Sequence, residues 1–421
     1  MVPFLITGPF LPDLLLSLLS LWFLYYIFRN KIFYIFKKKF FYLFLAFCLV
    51  CFFSSLMSDN ILLSFESSLF YFRIGIFGLL ISYLIDKDQK FLSYFFYTLI
   101  ITFSITIFYA FIIYFFKLNP HPVRVSSFFG DELILGSYLS RLLPLIIALF
   151  LIRKNKSYLE KNLFIIFVAL TYIAVILSGE RAAFFYLNLS LLFIAVFIKI
   201  NFKLFLTIII VFITSLSILL ISSDNNRTGR LLLERYTTNI MVNMNLEYLN
   251  NKFNSFYTND KKKLKKLESI EPSEPKSKKI VMFTLGHDSL YRTAFNMFID
   301  RPIIGHGPKM FRVKCSDPKY SVGVSPCMTH PHNFYIQLLA ETGVIGFLFL
   351  FFLLVYVIFL SIKYFYYYFI KKKKLYSNYQ ICLLACLLIT IWPIIPNGNF
   401  FNNHLMILYS LPLGFFKKFK S

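Results

Sequence analysis

Residues 334–362 read FYIQLLAETGVIGFLFLFFLLVYVIFLSI, and this stretch decides the fold class. It is longer than the roughly 20 apolar residues that cross about 30 Å of hydrocarbon, and its only charged residue is Glu341. The whole chain has the same character: 58% of its 421 residues are hydrophobic and 15% are charged, whereas about a quarter of a soluble domain is charged. A transmembrane β-barrel would show alternating segments of about ten residues instead. The sequence therefore predicts an all-α, polytopic integral membrane protein.

Apolar runs of this kind recur along the chain and predict about eleven transmembrane helices. The runs are 11–28, 40–57, 62–85, 91–116, 133–152, 162–178, 182–198, 204–222, 334–362, 378–396 and 400–416. If the link after the first run is cytoplasmic, the cytoplasmic links hold 21 Lys and Arg residues, and the short outer links hold three. Cytoplasmic loops are rich in Lys and Arg, so this split sets the orientation. The entry LITGPFLPD (residues 5–13) looks like a link between helices, so a twelfth, upstream helix is an alternative.

The formal net charge of +24 could suggest nucleic-acid binding. About half of the 44 basic residues, however, lie in the cytoplasmic links and act as a topology signal. We therefore expect membrane lipids around the chain and no nucleic-acid partner.

Three segments follow from this topology. Residues 1–222 form the N-terminal transmembrane helices, residues 223–333 form a large periplasmic loop, and residues 334–421 form the C-terminal transmembrane helices. The first part of the loop is polar and lysine-rich, contains prolines and is poor in apolar residues, which predicts a mobile segment. The second part contains SLYRTAFNMFIDRP (residues 289–302), which predicts a short amphipathic helix.

Charged side chains at the rim of membrane spans are functional candidates. Arg181 lies in a very short outer link within ILSGERAAFF (residues 176–185). A guanidinium there can hold a phosphate through two parallel N–H bonds. The alternatives are an interfacial side chain that reaches water, or an ion pair with Glu180. Arg292, on the predicted loop helix, would be a second cation on the same side of the membrane.

His332 stands where the loop re-enters the membrane, directly before Asn333, which is a suitable N-cap for the next helix. A histidine near its neutral form can act as a general base; the alternative is a histidine at the helix end that merely caps. Helical spacing places Gly343 and Gly346 on the face of His332, which predicts the close approach of another helix. Glu341 falls on the opposite face, and we expect it to have a buried partner.

Several other polar residues have structural alternatives. His330 and His332 form an H-x-H pair without a convincing third or fourth ligand, so we expect no metal. Glu66 and Arg73 are seven residues apart and could pair within the third span, and Arg141 needs a buried partner or a ligand. Walker A, G-x-G-x-x-G after a strand and G-x-S-x-G motifs are absent, so no nucleotide cofactor is expected.

The six cysteines fall in three pairs. Two pairs lie inside apolar runs at one-turn spacing, where we expect small packing residues. Cys315 and Cys327 lie in the loop, which the predicted topology places in an oxidising compartment, and they are candidates for a disulfide.

Four stretches together resemble the O-antigen ligase and polymerase family of polytopic membrane glycosyltransferases. They are SSFFGDELILGSYLSRLLPL, SGERAAFF, YRTAFNMFIDRPIIGHGPKMF and HPHNFYIQLLAETGVIG, of which the last is the most specific. When the order of these stretches and the predicted topology are included, the resemblance covers most of residues 120–400. It implies transfer of a polysaccharide from undecaprenyl diphosphate to an acceptor sugar on the periplasmic face of the inner membrane. Neither a metal nor a nucleotide sugar is expected in this family.

The resemblance also implies roles for individual residues. Arg181 and Arg292 match family arginines that are expected to bind the carrier's diphosphate, which is the leaving group. His332 matches a histidine that is expected to activate the acceptor hydroxyl or position the sugar, in an inverting displacement. Further candidates for substrate binding are Arg141, His330 and Asn333. Two features depart from the family: the odd number of helices and the lysine-rich insertion.

The sequence is best interpreted as an O-antigen ligase, which joins O-antigen to lipid A-core in lipopolysaccharide biosynthesis. The dominant outer loop that ends in the His-Asn helix favours this interpretation. A polymerase of O-antigen or another surface polysaccharide, with a different glycan acceptor, is the main alternative. A transporter of lipid-linked glycans is less favoured, because it would need polar residues along a path through the membrane midplane.

Overall fold

The computed structural model describes residues 2–88, 90–118, 124–198 and 285–416. Helices and their connections make up these ranges, which contain no strand. The α-helices are α1 (Phe10–Arg29), α2 (Lys39–Leu56), α3 (Ile61–Ser68), α4 (Phe72–Lys87), α5 (Lys90–Phe115), α6 (Leu135–Ile152), α7 (Tyr158–Leu177), α8 (Arg181–Phe197), α9 (Leu285–Asp300), α10 (Phe311–Lys314), α11 (Phe334–Phe365), α12 (Asn378–Thr390) and α13 (Asn403–Phe415). The predicted all-α class is confirmed for the described part of the chain.

Six helical stretches within the described residues are long and apolar enough to cross a membrane. They are Phe10–Arg29, Ile61–Lys87, Lys90–Phe115, Leu135–Ile152, Tyr158–Leu177 and Phe334–Ile370. Shorter apolar helices lie at Phe40–Leu56, Arg181–Phe197 and Asn378–Thr390. The protein is thus a multi-pass membrane protein. The predicted run 204–222 lies outside the described residues, so the count of eleven helices and the three-segment division stay predictions.

The centre of the bundle is formed by α6 and α12, which pack against each other and against α8. Most residues of α6 and α12 are buried. Helices α1 and α5 instead carry exposed aromatic side chains such as Phe10 and Phe115. Lipid tails are as apolar as these side chains, so exposure to a bilayer costs them little. The bundle therefore has a packed centre and a perimeter suited to lipid.

The third predicted span is a broken helix. It divides into α3 and α4, with a turn between them. Arg73 donates to Asp13 (Nη2–Oδ1 2.5 Å), and Glu66 pairs with Lys309 (Oε1–Nζ 3.2 Å). The predicted pairing of Glu66 with Arg73 is wrong, because seven-residue spacing puts two side chains on one face only along an unbroken helix.

Helix α11 is interrupted at Gly343, where φ is +65°. The backbone of residues 302–307 inserts at this point, and the N–H of Val344 donates to the carbonyl of Pro302 (2.8 Å). A Cβ at Gly343 would lie 2.2 Å from the carbonyl oxygen of Ile303. The prediction of a close-packed helix at this glycine is therefore corrected: an irregular loop segment approaches it, not a helix.

Glu341 holds the same loop from inside α11. The N–H of Gly307 donates to the Glu341 carbonyl (2.8 Å). The Glu341 carboxylate accepts the N–H of Phe311 (3.0 Å) and the side-chain amide of Gln337 (2.9 Å). Glu341 is fully buried, and it has the buried partners that the sequence analysis expects.

The loop has a small hydrophobic core of its own. The predicted amphipathic helix is α9, and its apolar face is buried. The core comprises Leu290, Ala294, Met297, Phe311, Cys315, Tyr320 and Ala340. Cys315 and Cys327 are disulfide-bonded in the structure, with their Cα atoms 4.8 Å apart. Because Ala340 belongs to α11, this core fixes α9 directly onto a membrane helix.

Candidate functional site

The turn between α7 and α8 orients a carboxylate and an arginine. Gly179 has a φ of +65°, a conformation that costs glycine little, and Arg181 follows as the first residue of α8. Glu180 points to the start of α6, where its Oε1 accepts the N–H of Gly136 (2.6 Å) and its Oε2 accepts the hydroxyl of Ser137 (2.7 Å). A carboxylate at a helix N-terminus satisfies unpaired N–H groups and the helix dipole. Glu180 thus caps α6, and its contacts fix the start of α8, where Arg181 is the first residue.

This arrangement needs a glycine at residue 136. A Cβ at Gly136 would lie 2.3 Å from the Ser178 hydroxyl and 3.0 Å from Glu180 Oε1. Burial raises the pKa of Glu180, and the hydrogen bonds from Ser137 and Gly136 oppose that shift. The turn that precedes Arg181 therefore packs closely against the start of α6.

His332 is fixed by contacts on both sides. Its backbone is left-handed (φ +58°), and its carbonyl accepts the N–H of Asn397 (2.8 Å). Asn333 caps α11 by accepting the N–H of Tyr335 at its Oδ1 (3.0 Å), which confirms the predicted N-cap. The Asn333 amide also donates to the carbonyl of Pro393 (2.7 Å). The backbone that carries the imidazole is therefore tied to the segment before α13.

Asn397 is in turn held by a buried polar network. The Tyr186 hydroxyl donates to Asn397 Oδ1 (2.6 Å), and Arg141 Nη2 donates to the same oxygen (3.4 Å). The Arg141 guanidinium lies between the rings of Tyr186 and Tyr409, 4.5 and 4.2 Å from their centroids. Arg141 is 2% exposed, and these contacts are the buried partners that its position within a span requires. Asn397 connects it to His332, and direct contact between Arg141 and substrate stays a prediction.

Three imidazoles lie together at the start of α11, and we call them the histidine cluster: His287, His330 and His332. The centroid of the His332 ring is 4.1 Å from that of His330 and 5.5 Å from that of His287. His287 comes from α9, where its ring stacks with that of Tyr291 at 6.1 Å. His287 and Asn397 are not among the residues predicted from the sequence. The four-residue spacing of His287 and Tyr291 puts both on one helix face, but their proximity to His332 depends on long-range contacts.

Burial lowers the pKa of all three imidazoles, and the value for His330 falls to about 3. The charge of Arg181 further lowers the pKa of His287. The charges of neighbouring imidazoles act in the same direction on His330 and His332. The rings are therefore neutral at pH 7, and a neutral imidazole can accept a proton from a hydroxyl. Among the described residues, no group of three or more His, Cys, Asp or Glu side chains could hold a metal ion.

Arg292 has a different environment from Arg181. Its Nε lies 2.9 Å from Asp288 Oδ2, and its side chain is 48% exposed. Phe295 and Ile299, which follow along the same face of α9, are exposed as well. At about 100° per residue, Arg292 is turned about 140° from His287 around the helix. The charge of Arg181 thus acts on the histidine cluster, whereas Arg292 lies on another face of α9 and pairs with Asp288.

Comparison with known proteins matches this region of the chain. Residues 164–351 match the model of the O-antigen ligase family. The matched range includes the turn that carries Arg181, helix α9 and the histidine cluster. No curated protein and no solved structure gives a significant match. Residues 164–351, which are 188 of the 421 residues, are thus similar to the O-antigen ligase family.

Proposed function

We propose that the protein is an O-antigen ligase that transfers a polysaccharide from undecaprenyl diphosphate to lipid A-core. The observation that carries the proposal is the histidine cluster at the start of α11, where the His332 ring lies 4.1 Å from that of His330 and 5.5 Å from that of His287, within the range that matches the family model. A neutral base there, with the charge of Arg181 acting on the cluster, suits transfer from a diphosphate leaving group. The family match supports a ligase or polymerase type of activity. The distribution of Lys and Arg supports a periplasmic position of this site in the inner membrane.

In the proposed reaction, a hydroxyl oxygen of the acceptor sugar attacks the anomeric carbon of the first donor sugar. The bond between that carbon and the carrier's diphosphate breaks, and its electron pair leaves with the diphosphate. His332 accepts the proton of the hydroxyl, and Arg181 stabilises the negative charge that grows on the leaving group. Attack from the side opposite the diphosphate inverts the anomeric configuration. Undecaprenyl diphosphate is the second product.

The neighbours of His332 have separate roles in this proposal. His330 and Asn333 flank the base and are the candidates for contact with the sugar. Asn397 and Arg141 act as positioning residues, because they hold the backbone of His332 through buried hydrogen bonds. A base that is fixed before the substrate binds needs less reorganisation during the reaction.

Deletion of the gene in the native host, followed by lipopolysaccharide gels, tests the proposed activity. A ligase predicts lipid A-core without long chains, while polymer accumulates on the carrier. Core that bears a single repeat would indicate a polymerase instead. Unchanged lipopolysaccharide, with normal long chains on lipid A-core, would contradict both activities.

A further inference from the structure

We propose that His287 binds the diphosphate of the lipid-linked donor and becomes protonated when it does so, in the role that the family resemblance gives to Arg292. This inference rests on the proposed function. It concerns which side chain of α9 meets the donor.

The position of His287 supports this role. Its ring centroid lies 5.5 Å from that of His332, the proposed base, and the charge of Arg181 lowers the pKa of the ring beyond the effect of burial. The ring also stacks with Tyr291, one helical turn further along α9. An anion held by Arg181 beside the base would therefore lie within reach of His287.

Helix α9, which carries His287, is held in place by packing. The apolar face of α9 is buried against the loop core, which includes Ala340 of α11. The Cys315–Cys327 disulfide closes the same core. His287 is thus attached to the helix that follows His332, so the spacing of the two rings does not depend on a free loop.

Arg292 is less suited to this role in the structure. It is half exposed and already pairs with Asp288. The residues that continue its face of α9, Phe295 and Ile299, are exposed apolar side chains. To reach an anion beside His332, Arg292 would have to leave Asp288 and extend around the helix.

The charged and titratable groups around His287 explain a change of protonation on binding. Burial and the charge of Arg181 on α8 both disfavour the imidazolium of His287. A proton on His332 would disfavour it as well, because the two ring centroids are 5.5 Å apart, and His330 and Tyr291 stand next to these rings. A diphosphate would reverse the balance, because a nearby negative charge favours the imidazolium. Since the two rings are 5.5 Å apart, a proton on His287 also disfavours one on His332, which stays available as a base.

This linkage has a defined sign. The pKa of His287 is higher with the anion bound than without it, so binding takes up a proton. Affinity is then strongest below the free-state pKa and falls as pH rises, by at most about tenfold per pH unit, until it levels above the bound-state pKa. An arginine at this position would stay charged throughout and would remove this dependence. The ligand's own ionisation acts in the opposite direction and is common to all variants.

The test is the Kd of the purified full-length protein for undecaprenyl diphosphate, in detergent micelles between pH 6 and 8. We expect His287→Gln to raise Kd at pH 6 by about 10- to 100-fold and to flatten the fall in affinity with pH. His287→Arg should keep tight binding with a flat pH profile, which a purely structural role would not produce. Arg292→Gln should lose less affinity than His287→Gln. Phe295→Leu, on the exposed face of α9, is the control for general damage to the helix.

Three results would overturn the inference. The first is a wild-type pH profile of affinity in His287→Gln. The second is an equal loss of affinity in His287→Gln and His287→Arg. The third is a larger loss of affinity in Arg292→Gln than in His287→Gln. The proposed function fails separately, if the wild-type protein neither binds undecaprenyl diphosphate nor transfers glycan from it. Normal donor binding by His287→Gln, together with loss of transfer in His332→Ala, would refute only the inference.

Discussion

Arg181 and His332 stand at the starts of two different helices, and each is held by a different set of contacts. Arg181 follows a turn whose carboxylate caps α6, and His332 precedes an asparagine that caps α11. Both residues could be identified from the sequence, because each lies in a short polar motif at the edge of an apolar run. His287 could not be identified in this way, because its contact with His332 joins residues that are far apart in the chain. Asn397 lies in the loop before α13, and its hydrogen bond to His332 is also a long-range contact.

Arg181→Lys tests the residue-scale account of diphosphate binding. Lysine keeps the positive charge but loses the planar fork that can donate two parallel hydrogen bonds to one phosphate. We expect kcat/KM for transfer from a lipid-linked glycan to fall by about 10- to 100-fold, equivalent to the loss of about 1.5–3 kcal/mol of a charged hydrogen bond. Steady-state assays on purified protein measure this. A rate within twofold of wild type would show that Arg181 acts only as a point charge or does not meet the donor.

At the scale of elements, the hydrophobic runs predict where helices lie but not where they break. Two predicted spans are interrupted, at the turn between α3 and α4 and at Gly343 in α11. Hydropathy cannot detect either interruption, because the flanking residues are as apolar as those of a continuous helix. The break at Gly343 depends on residues 302–307, which supply hydrogen bonds from another part of the chain. Such backbone contacts are a tertiary feature with no local periodicity.

Gly343→Ala should disturb the contact between residues 302–307 and α11. A methyl group would meet the Ile303 carbonyl at 2.2 Å, in a backbone conformation with φ +65° that alanine rarely adopts. We expect a loss of about 3 kcal/mol or more in stability. The unfolding temperature can be followed with a thiol-reactive dye, because Cys48, Cys51, Cys382 and Cys386 are all buried.

Gly78→Ala is the matched control for that experiment. A Cβ at Gly78, which lies inside α4, would have no heavy atom within 4 Å. Alanine also has the higher helix propensity, so this variant should be as stable as the wild type or slightly more so. Equal unfolding temperatures for the two variants would contradict the proposed insertion at Gly343.

The Cys315–Cys327 disulfide should also contribute to the stability of this part of the loop. Closing a loop of this size stabilises a fold by roughly 3 kcal/mol in the chain-entropy account. We therefore expect Cys315 and Cys327 to resist alkylation in native membranes without reductant, and reduction to lower the unfolding temperature. Mass spectrometry of alkylated protein tests the bond directly. Two freely alkylated thiols in periplasm-exposed protein would contradict it.

At the scale of the whole molecule, the prediction from sequence rests on charge and hydropathy. The cluster Lys371–Lys374 should be cytoplasmic, and residues around Asn259 should be periplasmic. Reporter fusions at these two places measure the side directly. A cytoplasmic signal at Asn259 would reverse the orientation and would place the histidine cluster on the wrong side for the proposed donor and acceptor.

The central claim is that His332 is the base of a glycosyl transfer from undecaprenyl diphosphate. It is tested most directly by comparing donor binding and transfer in wild-type and His332→Ala protein, using a lipid-linked glycan and a lipid A-core acceptor. The wild type should bind the donor and form the glycosylated acceptor. His332→Ala should bind the donor with nearly unchanged Kd, since Arg181 remains, and should transfer at least about 100-fold more slowly. A transfer rate close to wild type in His332→Ala would contradict the account.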